Sequence, residues 1–290
     1  MDRWGKRRKI EDTLLEKISV DLGFDKPKGI VTGFIPACEF AEVSEIIANL
    51  AYLISNRGVL VCVLDFKVFY PNLFDWLGGV EANKRGDGLI RLLNSDRTAV
   101  KSVAQETENK NVFLVAPSPN DNIEDYLNFG VEDVARVISM LKEVFDVVLI
   151  DIPNNPSLEF CVGALMHCQR GFFVASERVD ASRNIQKLVD YTLRMTNNIQ
   201  SFNNLIIAKQ QNLIFNGNTL TDVRMDDDVN GLKMRILTKL PFLREVQQCA
   251  LDGKVYVRDG SLVSQKLARE GKSYTEGLNK IADTILEVHV

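Results

Sequence analysis

Residues 29–51, GIVTGFIPACEFAEVSEIIANLA, decide the fold. A short apolar strand (Ile30, Val31) enters a loop, and the loop enters a helix with apolar residues at Ile46, Ile47, Leu50, Leu53 and Ile54. Spacings of three and four put these side chains on one face, the stripe that packs on a sheet. In a phosphate-binding strand–loop–helix unit the loop carries glycines, whose backbone N–H groups cradle the phosphate, and a lysine that neutralises it. This loop instead holds Phe34, Ile35, Pro36, Cys38, Glu39, Phe40 and Glu42. The fold unit is present without its usual chemistry.

Outward from this unit, strands and helices alternate. Residues 58–65 (GVLVCVLD), 111–116 (NVFLVA), 145–151 (FDVVLID), 170–176 (RGFFVAS) and 204–208 (NLIIA) are short, near-continuous apolar runs. Such runs suit strands covered on both faces of a parallel sheet. Helical patterns fall at 88–93, 123–143, 158–166, 182–195 and 261–287. The alternation predicts an α/β, doubly wound, mostly parallel sheet with helices on both faces. One segment departs from it: 210–240 holds an Asn216-Gly217 turn signal and the acid run Asp226-Asp227-Asp228, read as a hairpin and a solvated loop.

The 290-residue chain is 46% apolar and 26% charged, ordinary for a globular protein and enough for a full core. Its 35 basic and 39 acidic residues give a net charge of −4, which disfavours a general DNA or RNA binder. No apolar run approaches the roughly 18 residues of a membrane span. The charged N-terminus lacks an export signal, so the expected location is cytoplasmic. Five scattered cysteines, mostly inside apolar runs, read as reduced thiols. Cys161, His167 and Cys168 match no common zinc spacing and read as part of a packed helix.

Residues 1–26 form a separate basic and amphipathic segment ahead of the 27–290 α/β domain. Trp4, Lys6, Arg7, Arg8 and Lys9 precede a helical stripe of Ile10, Leu14, Ile18 and Leu22. Two readings stand side by side. The segment docks on its own domain, or it makes a partner contact or a peripheral contact with the inner face of the membrane.

Several strand ends carry more than hydrophobicity. VLDFKVFYPNLFDWLG (63–78) resembles the segment after the second strand in the MinD/ParA family of deviant-Walker ATPases. There an Asp-x-Asp pair precedes a Pro-Asn-Leu turn. FDVVLIDIPNNPS (145–157) is similar to that family's Walker B strand, and ASERVDASRNIQKLV (175–189) to the strand end and helix that follow it. LPFLREVQQCALDGKVYV (240–257) matches the closing segment, where a proline ends the last strand. In order, these matches cover about residues 29–287 and imply a P-loop NTPase-like fold.

What the resemblance implies for the site is a set of losses. With the first helix aligned on Ala48-Asn49-Leu50-Ala51, Ser44 takes the Mg²⁺-holding position, Val43 that of the phosphate lysine and Glu42 that of its glycine. The loop from Thr32 to Ser44 is longer than the family's by about three residues. Asp65 keeps the first acid of the Asp-x-Asp pair and Lys67 replaces the second. Ala208-Lys209 stand where the family places an adenine-reading Asn. The implied vestigial nucleotide site is Gly33, Ser44, Asp65, Lys67 and Asp151, with Ser44 and Asp151 as magnesium ligands if Mg-ATP binds. Asp65 and Asp151 read equally well as carboxylates that cap the turns after their strands.

Two functions follow from the resemblance. One is a non-catalytic MinD/ParA-like scaffold for localisation, assembly or regulation, working through protein partners without a cofactor or catalytic residue. The other is an ATP-binding localisation ATPase with an atypical phosphate loop, as in the TadZ branch of pilus assembly, with Lys67 or Lys28 supplying charge. Either is compatible with a homodimer.

Overall fold

A computed structural model describes residues 28–38, 41, 43–77, 88–96, 99–118, 120–153, 158–176, 181–196, 202, 204–208, 234–259 and 265–287. The N-terminal segment 1–26, the turn signal at Asn216-Gly217 and the acid run at Asp226–228 lie outside these residues, as do Glu39, Phe40 and Glu42 of the loop.

Among the described residues eight strands form one sheet: β1 (Ile30–Pro36), β2 (Val61–Asp65), β3 (Gln105–Glu106), β4 (Val112–Val115), β5 (Val147–Asp151), β6 (Arg170–Ser176), β7 (Asn204–Ala208) and β8 (Arg235–Leu240). Their order is β3-β4-β2-β5-β1-β6-β7-β8. All the pairings are parallel except β3 against β4. β1 lies between β5 and β6, so the chain winds outward from it in both directions. That is the doubly wound arrangement, with its crevice at the carboxyl ends of the central strands. The apolar runs predicted the strands because each is buried on both faces: Val61–Asp65 and Val147–Asp151 are buried at every residue.

Helices cover both faces. α1 (Val43–Ser55), α2 (Leu73–Trp76), α3 (Leu89–Leu93), α4 (Val100–Val103), α5 (Val131–Val144), α6 (Leu158–His167), α7 (Ala181–Thr196), α8 (Arg244–Leu251), α9 (Tyr256–Asp259) and α10 (Gln265–Leu286) follow in chain order. One face of the sheet packs Val31, Ile35 and Val148 against Val134, Leu141 and Phe160 from α5 and α6. The other packs Phe34, Val63 and Leu149 against Ile46 and Leu50 of α1 and Leu278 and Ile281 of α10. α10 comes close to β8 because Gly277 has no side chain: a Cβ there would stand 2.6 Å from Leu240 Cδ2. Arg57 ties the end of α1 to α10 through Asp283 (2.6 Å) and Asn279 (3.0 Å).

Three expectations need correction. First, β1 does not end at Val31. It continues to Pro36, pairing Phe34 with Asp151 on one side and Phe172 on the other. Phe34 and Ile35 are fully buried, and Phe34 stacks on Phe172 at 5.1 Å. Much of the apparent extra loop is therefore strand. Second, the helical pattern over 123–143 is two elements, a 3-10 helix (Ile123–Asn128) and α5. They divide at Gly130, whose N–H donates to Asp133 Oδ2 (3.0 Å) and caps the second. Third, residues 235–240 at the end of the irregular segment form β8, parallel to β7.

All five cysteines are free thiols, and four of them are buried. Cys161 and Cys168 lie in the core while His167 between them is exposed. Among the described residues no group of three His, Cys, Asp or Glu is arranged to hold a metal, and no helix is long and apolar enough to cross a membrane.

Candidate functional site

The crevice is set by strand register. β2 and β5 are neighbours with Asp65 opposite Asp151, so two fully buried carboxylates end adjacent strands side by side. Lost hydration, and then the charge of Asp151, push the Asp65 carboxyl up to about 7. Burial raises Asp151 as well, against the pull of Lys67 and Ser44. Two adjacent buried carboxylates cannot both ionise cheaply, so the pair holds a proton near neutral pH.

Asp65 also shapes the loop that follows it. Its Oδ1 accepts the Lys67 N–H (2.8 Å) and its Oδ2 accepts the Leu73 N–H at the start of α2 (3.4 Å). The loop between these anchors exposes Phe69 and Tyr70, the latter at 80%. At its root Lys67 turns inward. Its Nζ lies 2.9 Å from Asp151 Oδ2 and donates to Ser44 Oγ at 2.9 Å. Ser44, in the first turn of α1, donates its hydroxyl proton to the same Asp151 Oδ2 at 2.5 Å. Ammonium, hydroxyl and carboxylate close a triangle, and the lysine side chain is only 21% exposed. Asp151 Oδ1 is buried with no hydrogen-bond partner.

This places the expected residues as follows. Ser44, Asp65, Lys67 and Asp151 come together. Gly33 sits in mid-β1, where its missing side chain leaves room for Ile152 Cδ1 and Cys168 Sγ, at 2.6 and 2.7 Å from an ideal Cβ. It is a packing glycine, not part of a cradle. Lys28 precedes the N-terminal end of β1, a strand about 20 Å long, and is exposed there. The crevice lies at the strand's other end.

Magnesium is the ion that the fold would bring to Ser44 and Asp151. Their oxygens suit it chemically, but the arrangement does not accommodate it. A divalent ion bound to both oxygens would lie within about 4 Å of the Lys67 ammonium, a repulsion of about 8 kcal/mol even at an effective dielectric near 20. Mg²⁺ and the lysine as placed exclude each other.

Glu45 was missed by sequence reasoning. It follows Ser44 in α1 and is only 7% exposed. Its carboxylate accepts Gln247 Nε2 from α8 (2.6 Å) and Tyr274 Oη from α10 (2.9 Å). Its place in the first helical turn adds the favourable end of the helix dipole. A narrow pocket opens beside it, lined by Ile46, Ala208, Pro241 and Phe242. Ala208, expected at an adenine-reading position, does line this pocket. The missed signal is charge: Glu45 interrupts the apolar pattern of a helix buried almost throughout.

No protein-family model and no curated protein matches the chain. Solved structures do. A ParA family ATPase from Chlorobium tepidum superimposes with a TM-score of 0.70 at 19% identity, over 88% of this chain and 99% of that one. The cell division ATPase MinD of Pyrococcus furiosus gives 0.70 at 17%, over 88% and 99%. MinD in a MinC:MinD complex from Aquifex aeolicus gives 0.69 at 15%, over 90% and 97%. The likeness spans almost the whole of each compared chain, and this protein has the fold of the ParA and MinD ATPases.

Proposed function

We propose that this chain is a nucleotide-independent protein on the MinD/ParA fold, acting as a localisation, assembly or regulatory scaffold through protein partners. The observation that carries the reading is Glu45. A carboxylate, held by Gln247 and Tyr274, occupies the first turn of α1, the position at which this fold class receives phosphate. A bound polyphosphate would face that charge without a loop lysine to offset it. Like charges a few ångström apart cost on the order of 1–4 kcal/mol, depending on the local dielectric.

Protein partnership is supported by the fold's use elsewhere, since MinD is found in complex with MinC. The exposed aromatic pair Phe69 and Tyr70 offers this chain a surface of suitable chemistry. The reading is tested by calorimetry with ATP and Mg²⁺, together with extraction of the purified full-length protein for nucleotide. No heat of binding and no extracted nucleotide are expected. Stoichiometric ATP, or saturable binding, would replace this reading with that of an ATP-dependent localisation ATPase.

A further inference from the structure

We infer that the Lys67 ammonium is a built-in substitute for the divalent cation at the ends of β2 and β5, so that the site is permanently cation-filled. The inference rests on the triangle with Ser44 and Asp151 and holds whatever partner the protein has.

Three features set this lysine apart from an ordinary ion pair. Its backbone is fixed, because the Lys67 N–H is held by Asp65 Oδ1 at 2.8 Å. Its ammonium sits 2.9 Å from a hydroxyl and 2.9 Å from a carboxylate oxygen, an all-oxygen environment like that of a hard cation. The hydroxyl is oriented by the arrangement: Ser44 donates to Asp151 and turns a lone pair toward the lysine. The lysine also joins three separate segments, the first turn of α1, the root of the loop after β2, and the end of β5. A metal ion held by Ser44 and Asp151 would join the first and last of these, and the lysine brings in the loop after β2 as well. Being covalently attached, the lysine does so at any metal or nucleotide concentration.

An ordinary ion pair and a cation substitute predict different things when the lysine is removed. The former leaves unpaired carboxylates. The latter leaves a vacancy of the right chemistry for a divalent ion. The experiment uses the full-length chain, Mn²⁺ alone as the probe, and the variants Lys67→Ala and Lys67→Met. Free Mn²⁺ is read by electron paramagnetic resonance and stability by thermal melting. The native protein should bind no Mn²⁺ at millimolar concentration and melt identically in Mn²⁺ and in EDTA. Lys67→Ala should gain one site per chain, with affinity raised about tenfold or more, and a melting temperature that climbs with Mn²⁺ as ligand linkage requires. Adding Asp151→Asn to Lys67→Ala should abolish that gain.

If Lys67→Ala folds but binds Mn²⁺ no better than the native protein, the inference is wrong. If both variants are unfolded, refolding by Mn²⁺ supports it, and failure to refold overturns it. A measurement on the native chain stands beside these. Reductive methylation read by mass spectrometry should modify Lys67 far more slowly than the exposed Lys28, at a rate Mn²⁺ does not change. Methylation of Lys67 that is fast, or that Mn²⁺ accelerates, would overturn the assignment. No arm contains nucleotide, so the outcome is independent of the ATP-binding test.

Discussion

The two halves of the crevice part from a nucleotide site by opposite changes of sign. On the metal side, at the ends of β2 and β5, the oxygen-bearing residues Ser44, Asp65 and Asp151 stand together, and a cation has been added in Lys67. On the other side, at the junction of α1, α8 and α10, an anion has been added in Glu45 and surrounded by donors. The first half is an electrostatic network that neutralises itself. The second is a buried carboxylate that accepts hydrogen bonds from the neutral side chains of Gln247 and Tyr274. The difference teaches that two neighbouring parts of one crevice can carry charges of opposite sign, one offset by the carboxylate it touches and the other held by hydrogen bonds.

The two halves should respond differently to mutation, and the largest effect belongs to the metal side. Lys67→Ala in metal-free buffer at pH 8 is expected to cost about 3–5 kcal/mol, because it strips the counter-charge from a buried carboxylate pair. Urea unfolding measures it. A loss below about 1 kcal/mol would mean that the network is not self-neutralising and would erase the distinction.

The next effect is one of pH. In the folded chain Asp65 keeps its proton up to about 7, whereas the unfolded carboxyl releases it near its ordinary value of about 4. The folded state thus binds more protons through this window. The Asp65 contribution to stability is fully present below about pH 4 and is lost as pH rises to about 7. The slope attributable to it is at most one proton, or about 1.4 kcal/mol per pH unit. Asp65→Asn cannot take up the proton, so its stability should lack this slope between pH 5 and 7 even though the variant is weaker at every pH. An unchanged slope would assign the proton elsewhere.

On the anion side, Tyr274→Phe removes one donor from Glu45 and is expected to cost about 1.5–3 kcal/mol, the usual worth of a hydrogen bond to a charged group. Because Tyr274 does not touch the metal-side triangle, Tyr274→Phe and Lys67→Ala should combine additively. A double-mutant cycle with a coupling above about 0.5 kcal/mol would show that the halves act as one unit. Smallest of all, Tyr70→Ala on the exposed loop should change stability by no more than about 0.5 kcal/mol, leaving its loop free to be judged on partner binding alone.

Most of the sheet was legible because a strand buried on both faces must be apolar at every position, and five such runs are written plainly in the chain. The end of β1 was not. Phe34 and Ile35 are as apolar as a strand interior, but Pro36 and the expectation of a turn after Val31 drew them into the loop. Only pairing to β5 and β6 decides between those readings. The two-residue β3 carries no periodicity at all. The metal-side residues Ser44, Asp65, Lys67 and Asp151 were legible through the family resemblance, which puts Asp65 and Asp151 at strand ends, Ser44 at a helix start and Lys67 two residues past β2. The direction of Lys67 was not, because a lysine after a strand can face either solvent or crevice. Glu45 was hidden for a related reason: its donors, Gln247 and Tyr274, lie about 200 residues further along the chain.

The cysteines have a practical consequence. Burial holds the thiols of Cys62, Cys161 and Cys168 well above their ordinary titration range, and Cys38 is tucked against Ser176. Only Cys249, on α8, is partly exposed. Alkylating reagents attack the thiolate and need access to it, so a maleimide dye should enter the native protein at this one position. Cys249 is two residues from the Gln247 that holds Glu45. A single-site fluorophore there, with no engineered residue, would give the anion side of the crevice its own optical readout.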